Sequence, residues 1–476
     1  MDNIDEKSMF ARSYAKESVS LKQPSYKSPS KVNKNTILSY LQNPYTNAEK
    51  LQEVSIYLKH NNGIYNRLLK YYSNMPTFDH ILYPYEIDGK KKSSGADKLL
   101  KSYNETAQFL EKVNPKYNFR WMYQKLLKCG ELYIYKLEDT NGIVWKEMPS
   151  TLCRISSYEN GVSRFSINLS KLSNNDIYAT MPKDIQKLYD KYKAGVIKKE
   201  DLIDSSWYEI EKNGYAFNII TPYLSKGFPP FSYLFDGLMY VDEMKELQFA
   251  NAENENLKII HQKIPMDEKG ELLVDYDLIQ EYHSATKRNL PSGIAITTNP
   301  LDVEAITLMR SGSQYINHRN DALESLYDDA GVNSDLFNGE SKSNEIVASG
   351  IKIDEMMVFE VISLFENFLN YEITQNKKSS SWRVKMLNTT YFNRENEIKI
   401  ARENLAYGGS RFHALGTSGY TPLQSINILK GEQALGIDSI MIPTQTSHTL
   451  TNEDGGRKEK ADDPTKSDKQ SKNPEQ

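Results

Sequence analysis

The strongest constraint on the fold is one apolar segment in the C-terminal third of the chain, residues 344–375. Its apolar residues recur at helical spacing and cover more of a helix than a single stripe. They are Ile346, Val347, Ile351, Met356, Met357, Val361, Ile362, Leu364, Phe365, Phe368, Leu369 and Ile373. At roughly 1.5 Å per residue the segment makes a rod of ~48 Å. Because Lys352, Asp354, Glu355 and Glu360 interrupt it, it cannot span a membrane. The sequence therefore predicts a long helix buried on several sides.

A second pair of predicted helices brackets a small αβ insert. Residues 232–256 and 313–329 each carry an apolar stripe, and residues 257–309 between them alternate strand and helix patterns. The predicted strands are 257–264, 294–297 and 303–308, and the predicted helix is 276–290. This order predicts a stalk of two helices with a knob at its tip. The other face of the first stalk helix is acidic, with Asp236, Asp242, Glu243, Glu246 and Glu253.

The remaining sequence predicts an α+β region, mostly helical, over residues 36–225. Helical periodicity dominates up to residue 129, and alternation with period two follows. Strands at 207–211 and 216–220 are predicted to pair across Asn213-Gly214, a strong turn dipeptide. Near the C-terminus, helices at 394–407 and 422–435 flank a glycine-rich stretch, residues 408–419, which we interpret as a hinge. The polar ends, residues 1–35 and 443–476, are predicted to be disordered.

Charge and motifs exclude several functions. The chain has 59 Lys+Arg against 63 Asp+Glu, a net charge of −4, which argues against a clamp that grips DNA phosphates. It contains no phosphate-binding loop, dinucleotide-binding glycine motif, zinc-protease motif or calcium loop, so we expect no enzyme activity, cofactor or metal. Cys129 and Cys153 are too few for a disulfide framework and are predicted to be buried free thiols. Without an apolar leader or an 18-residue apolar run, we expect a soluble protein that is intracellular when made.

Two charged clusters allow two interpretations each. Asp328-Asp329, at the end of a predicted helix, fits a solvated helix end or an acidic spot that faces a channel or a partner. Lys90-Lys91-Lys92 fits a solvated loop or a contact with nucleic acid or a partner.

The order of these parts resembles the portal (head–tail connector) proteins of tailed bacteriophages. Residues 43–85, NPYTNAEKLQEVSIYLKHNNGIYNRLLKYYSNMPTFDHILYPY, are similar to the family's N-terminal helical pair leading to a strand. Residues 321–373, DALESLYDDAGVNSDLFNGESKSNEIVASGIKIDEMMVFEVISLFENFLNYEI, are similar to its unit of stem, tunnel loop and tunnel helix. The match covers most of residues 36–436, and its specificity lies in the order of the parts.

The resemblance implies a portal-type protomer with wing, stem, clip and crown. Its division is: a disordered N-terminal arm, 1–35; the wing, 36–231; the first stem helix, 232–256; the clip, a small αβ unit, 257–309; the second stem helix, 310–331; the tunnel loop, 332–343; the long tunnel helix and a wing strand, 344–393; the crown, 394–442; and a disordered tail, 443–476.

The resemblance also implies partners and site residues. The family forms twelve-fold rings at one capsid vertex around a channel for double-stranded DNA. The clip docks the packaging terminase and later a head-completion adaptor, and the major capsid and scaffolding proteins are further partners. The candidate DNA-facing residues of the tunnel loop are Asn333, Asp335, Asn338, Glu340 and Lys342. The acidic stem is expected to repel the phosphates, whereas twelve copies of Lys342 would hold them weakly.

The expected location is therefore the virion, with the host cytoplasm during assembly. The alternatives are another virion structural protein (an adaptor, minor head or tail protein), a packaging enzyme, and a DNA-binding protein. A packaging motor needs a phosphate-binding loop, which the sequence lacks. The charge balance disfavours a DNA-binding protein.

Overall fold

The computed structural model describes most of the chain between residues 34 and 437. The described ranges are 34–85, 95–138, 142–220, 224–255, 258–269, 271–289, 294–300, 313–332, 344–376 and 381–437. Helices dominate and the strands form small sheets, which confirms the prediction of a mostly helical α+β protein.

Three helices begin the described chain: α1 (Lys34–Leu41), α2 (Ala48–Asn61) and α3 (Gly63–Asn74). Asn62 joins α2 to α3, because its N–H bonds to the Leu58 carbonyl while its side chain accepts from the Tyr65 N–H. An extended residue at this point satisfies the open ends of both helices. Asn47, which precedes α2, makes no side-chain capping bond.

The largest sheet among the described residues follows two helices. Residues 34–231, which include this sheet, are called the wing below, as a name only. Strand β1 (His80–Pro84), α4 (Ala96–Val113) and α5 (Pro115–Cys129) precede β2 (Glu131–Glu138), β3 (Ile143–Met148), β4 (Cys153–Glu159) and β5 (Val162–Asn168). Then come α6 (Asn175–Thr180), α7 (Lys183–Lys193), β6 (Trp207–Glu209) and β7 (Gly214–Asn218). The strand order is β3-β2-β7-β5-β4, with every pair antiparallel.

The predicted pairing across Asn213-Gly214 is wrong. Strand β6 pairs with β5, and β7 lies between β2 and β5. The turn exists, since Asn213 has a φ of 64°, but all five residues of β7 are buried. Burial on both faces favours a central position in the sheet over an isolated hairpin.

The stalk and knob have the predicted order. Helix α8 (Phe235–Glu255) leads to the knob, which contains β8 (Lys258–Lys263), α9 (Tyr276–Asn289) and β9 (Ile294–Asn299), and α10 (Ser313–Ala330) returns. Strands β8 and β9 are parallel neighbours. The strand predicted at 303–308 lies outside the described residues.

The long helix α11 (Asn344–Asn376) passes through the wing. Phe365 stacks on Phe119 with ring centres 4.3 Å apart, and Phe368 contacts Trp145, Tyr215 and Phe217 edge-on. The prediction of burial on several sides is confirmed for its C-terminal half. Ile353 and Met356, nearer the N-terminus, are 65% and 66% exposed.

Strand β10 (Trp382–Met386) pairs with β1, and three helices follow: α12 (Arg394–Ala406), α13 (Arg411–Thr417) and α14 (Pro422–Leu435). The predicted hinge at 408–419 is wrong for residues 411–417, which form α13. Gly416 is buried on strand β1, where a β-carbon would overlap the Ile81 side chain. Glycine here permits close packing rather than bending.

The stalk is tied to the wing where two backbone segments cross. The buried Glu131 carboxylate accepts hydrogen bonds from Gln52 Nε2 (3.1 Å), the Tyr133 hydroxyl (2.9 Å) and the Gly227 N–H (2.7 Å). Gly130 has a φ of 78°, and a β-carbon there would overlap the backbone of Phe228. The approach to α8 is therefore fixed by a buried acid and by a glycine that leaves room for the crossing strand.

We predict that Gly130→Ala costs at least about 3 kcal/mol of unfolding free energy, because it adds a backbone overlap to an unfavourable φ. Gly195→Ala is the control. Gly195 also has a positive φ, of 71°, but no atom lies within 4 Å of the added carbon, so the cost should be about 1 kcal/mol. Urea unfolding measures both variants, and equal costs would show that the crossing is not tight.

Candidate interaction surfaces of the stalk and knob

The root of the stalk is built into the wing core. Phe235 is fully buried and meets the ring of Tyr65 edge-on, with centres 5.5 Å apart. Gly237 lets α10 approach α8, since a β-carbon there would lie 3.1 Å from Leu326 Cδ1. Asn62 Nδ2 donates to Asp242 at 3.0 Å. These contacts fix the direction in which both stalk helices leave the wing.

Beyond the root, the stalk exposes large apolar side chains. On α8, Tyr240 is 39% exposed, Leu247 51% and Phe249 62%, whereas Leu238 and Val241 are buried. On α10 the buried side chains Leu326, Tyr327 and Ala330 lie at the C-terminal end, next to the wing. Lys34 of α1 lies over the Tyr240 ring, 5.0 Å from its centre, whereas Leu247 and Phe249, on opposite sides of α8, have no covering element among the described residues. Uncovered large apolar side chains are typical of a protein–protein interface.

The same helices carry a strongly acidic surface. Of the predicted acids, Glu243 and Glu246 are exposed and Asp236 and Asp242 are half-buried, while the side chain of Glu253 is outside the described set. Helix α10 adds the exposed residues Asp321, Glu324, Asp328 and Asp329. Among the described side chains of the two helices, Lys245 is the only basic residue, and these eight carboxylates form no ion pair with described residues.

The knob has no core of its own among its described residues. None of its described side chains is buried, and α9 itself buries none. Its large exposed apolar residues are Met266, Leu272, Leu273, Tyr276, Leu278 and Tyr282. Because none of the knob's described side chains is buried within the chain, the knob fits a unit that is completed by a partner.

The seam between α9 and the knob sheet is polar. His283 Nδ1 lies 2.8 Å from the Thr298 hydroxyl, which donates to Gln262 Oε1 at 3.3 Å. His261 Nε2 lies 3.1 Å from Asn299 Oδ1. The His283–Thr298 bond joins α9 to β9, and the other two bonds join β8 to β9. Polar contacts therefore contribute to the alignment of the helix and the two strands.

The predicted tunnel-loop residues Asn333, Asp335, Asn338, Glu340 and Lys342 all lie outside the described residues. The structure describes the two ends of this segment. Helix α10 ends at Gly331, with a φ of 68°, and Val332 is buried with its N–H bonded to the Tyr327 carbonyl at 3.2 Å. The following helix, α11, starts at Asn344.

A buried carboxylate holds α11 where it enters the wing. Asp354 accepts hydrogen bonds of 2.8 Å from both the Tyr71 and Tyr72 hydroxyls on α3, and the neighbouring Glu355 accepts from the Thr390 hydroxyl. Burial raises the pKa of Asp354 above its usual range, and the two tyrosine bonds oppose that rise. The sequence-based predictions did not include this site. An acid between Ile351 and Val358, on a helix predicted to be buried, was the signal that indicated it.

Three further observations concern metal ligands, thiols and membrane-spanning helices. Among the described residues, no three His, Cys, Asp or Glu side chains are grouped as metal ligands. Cys129 and Cys153 are free and buried, and burial raises the pKa of both thiols. No described helix is both long and apolar enough to cross a membrane.

We predict that Asp354→Asn flattens the pH dependence of stability. Because the pKa of Asp354 is higher in the folded chain than in the unfolded one, the folded state binds more protons between the two values. The unfolding free energy of the native protein should therefore rise as the pH falls from 7 toward 4, and the variant should lose that contribution.

Urea unfolding at several pH values measures this difference. The other charged or titratable groups around the site are Tyr71, Tyr72 and Glu355, and they remain in the variant. Tyr71→Phe is the control, since it removes one hydrogen bond and keeps the acid. Parallel pH curves for Asp354→Asn and the native protein would contradict the prediction.

Comparison with known proteins adds no relative on which to base a function. No protein-family model matches the chain, and no curated protein is significantly similar to it.

Proposed function

We propose that this chain is the portal protein of a tailed bacteriophage, one subunit of a ring that forms the channel for DNA at a capsid vertex. The observation that carries the proposal is the stalk and knob: both expose large apolar side chains, and none of the knob's described side chains is buried. Leu247 and Phe249 on the stalk and Tyr276 on the knob are each more than half exposed. A single chain leaves such surfaces in water, whereas a ring of copies covers them.

A ring also accounts for exposed apolar residues on opposite sides of the stalk, such as Leu247 and Phe249. A repeating contact joins one side of each subunit to the other side of the next, so apolar residues along a projecting helix pair can all be covered by neighbours. The family resemblance supplies the number twelve. In this ring the knob corresponds to the clip, α8 and α10 to the stem, and α12 to α14 to the crown.

The stalk charge suits a channel wall that lets DNA slide. Eight carboxylates against one lysine in the described stalk repel phosphates rather than bind them. A protein that grips DNA instead needs lysine and arginine at each phosphate contact. Asn333, Asp335, Asn338, Glu340 and Lys342, next along the chain, remain the proposed groups nearest the DNA.

The proposed partners follow from the same assignment. The exposed face of the knob would dock the terminase during packaging and a head-completion adaptor afterwards. The wing and crown would contact major capsid or scaffolding proteins, within the virion and, during assembly, in the host cytoplasm. The chain has no catalytic role in this proposal.

Electron microscopy of the purified full-length protein tests the proposal. We expect ring-shaped particles with a central hole, and their end-on views should show rotational symmetry near twelve-fold. Monomers at micromolar concentration, or fibres without a closed ring, would contradict it. ATP hydrolysis stimulated by DNA would instead support a packaging enzyme.

We predict that Leu247→Ser combined with Phe249→Ser weakens ring assembly at least about tenfold without lowering the stability of the single chain. Burying each side chain between copies is worth roughly 1.5–3 kcal/mol, and neither contributes to the core of its own chain. Val196→Ser is the matched control, because Val196 is 66% exposed on the wing, away from the stalk. Mass photometry measures the assembly, and unchanged rings in the double variant would refute the assigned interface.

A further inference from the structure

The small sheet of β1 and β10 has two outer edges, and among the described residues side chains cap only that of β10. Asn370 on α11 accepts from the Val384 N–H at 2.8 Å and donates to the Val384 carbonyl at 2.9 Å. Glu366, one turn earlier, accepts from the Met386 N–H at 2.8 Å. Side chains of the long helix thus take the place of a third strand along β10.

The outer edge of β1 has no such cap. Leu82 lies opposite Val384, and since the N–H and C=O of Val384 point away from β1, those of Leu82 point away from β10. The bonds at Asp79–Leu387 and Tyr85–Ser381, three residues to either side of Leu82, confirm this alternation. Leu82 is only 4% exposed, yet its backbone N–H and C=O have no hydrogen-bond partner among the described residues.

A cleft of about 810 Å³ lies beside this edge. Residues 81–84 of β1 form one wall, and the end of α12 with the start of α13 forms the other. The side chain of Leu82 belongs to the wing core, so its backbone is what reaches the cleft. The larger lining side chains are aromatic: Tyr83, Trp382, Tyr407 and Phe412. An unpaired strand edge beside an apolar groove is the arrangement by which proteins accept an added strand.

We propose that this cleft binds residues 439–443 of the chain itself as a third strand beside β1. The described chain ends at Ile437, just after α14, which packs against β1. Gly436, with a φ of 65°, turns the backbone at that point. The segment beyond reads Ser-Ile-Met-Ile-Pro, and Ile440-Met441-Ile442 is the only run of three large apolar residues after α14.

The chemistry of the two partners is complementary. In a strand, Ile440 and Ile442 share one face, which would meet the aromatic wall, while Met441 faces the other way. Leu82 offers one N–H and one C=O, and Pro84 offers only a C=O, so two to three hydrogen bonds would form. Pro443 ends the added strand, because it has no N–H to continue the ladder. This inference is independent of the proposed function.

Hydrogen exchange of the full-length protein tests the proposal. In the native chain the Leu82 amide should exchange at least about tenfold more slowly than in the Ile440→Ser, Ile442→Ser variant, because that variant loses the apolar contacts that hold the strand. The control is Met441→Ser with Leu450→Ser, which removes as much apolar surface but leaves the inward face intact. Equal exchange of Leu82 in all three proteins would overturn the proposal.

A disulfide test identifies the occupant. The variant Tyr407→Cys, Ile440→Cys adds two thiols to a chain whose own two cysteines are buried. We expect oxidation to link them within one chain, which leaves the mass on a denaturing gel unchanged and consumes both added thiols. Covalent dimers would show that the segment comes from a second copy, and two free thiols would show that the cleft binds neither. Either result would overturn the assignment to this chain's own segment.

Discussion

The positions of the other elements depend on how the C-terminal half of α11 is held inside the wing. Glu372 is fully buried there, 2.7 Å from Lys136 Nζ on β2, and it also accepts from the Tyr215 hydroxyl on β7. Removing either partner of a buried pair leaves the other charge without compensation, which typically costs about 3–5 kcal/mol. With the stacked rings of Phe119 and Phe365, this pair sets the rotation and depth of the helix. Its N-terminal half then has only one direction in which to leave the wing.

Helix α3 connects that direction to the stalk. Tyr71 and Tyr72 hold Asp354 of α11, while Tyr65, on the same helix, packs on Phe235 at the root of α8. Helix α11 and the stalk are therefore both attached to α3, through contacts less than three helical turns apart. A displacement of the stalk would have to move α3 or break the two tyrosine bonds. In the proposed ring this geometry links the position of the stalk to that of the helix that begins after the tunnel loop.

Helix ranges could be predicted from the sequence where apolar residues recur at helical spacing. The ranges of α9 and α11 agree with prediction within a residue or two, because residue spacing marks both segments as helical. The predictions were wrong where a short motif carries no information about which distant segment packs against it. Asn213-Gly214 encodes a turn but not which strand becomes β7's neighbour, and Gly416 encodes a close contact with β1 that looks like flexibility in the sequence.

On the interaction surfaces, too, only the features that depend on local spacing could be predicted. Periodicity identified the stalk and its acids, because charge and helix face can be read from spacing. It did not identify the polar seam of the knob or the Asp354 site, since both depend on residues far apart in the chain. The tunnel-loop residues stay a prediction.

The stalk must reconcile two opposing forces if it assembles as proposed. Its carboxylates repel those of a neighbouring copy, and at 0.1 M salt such repulsion acts over ~10 Å. Burial of Leu247 and Phe249 has to exceed that repulsion, and it is worth roughly 1.5–3 kcal/mol per side chain at full burial. The balance explains why one helix carries both: the apolar residues draw the copies together, and the acids keep the surface unattractive to phosphate. In the proposed channel, a stalk with lysine in place of the acids would assemble as well but would hold the DNA instead of letting it slide.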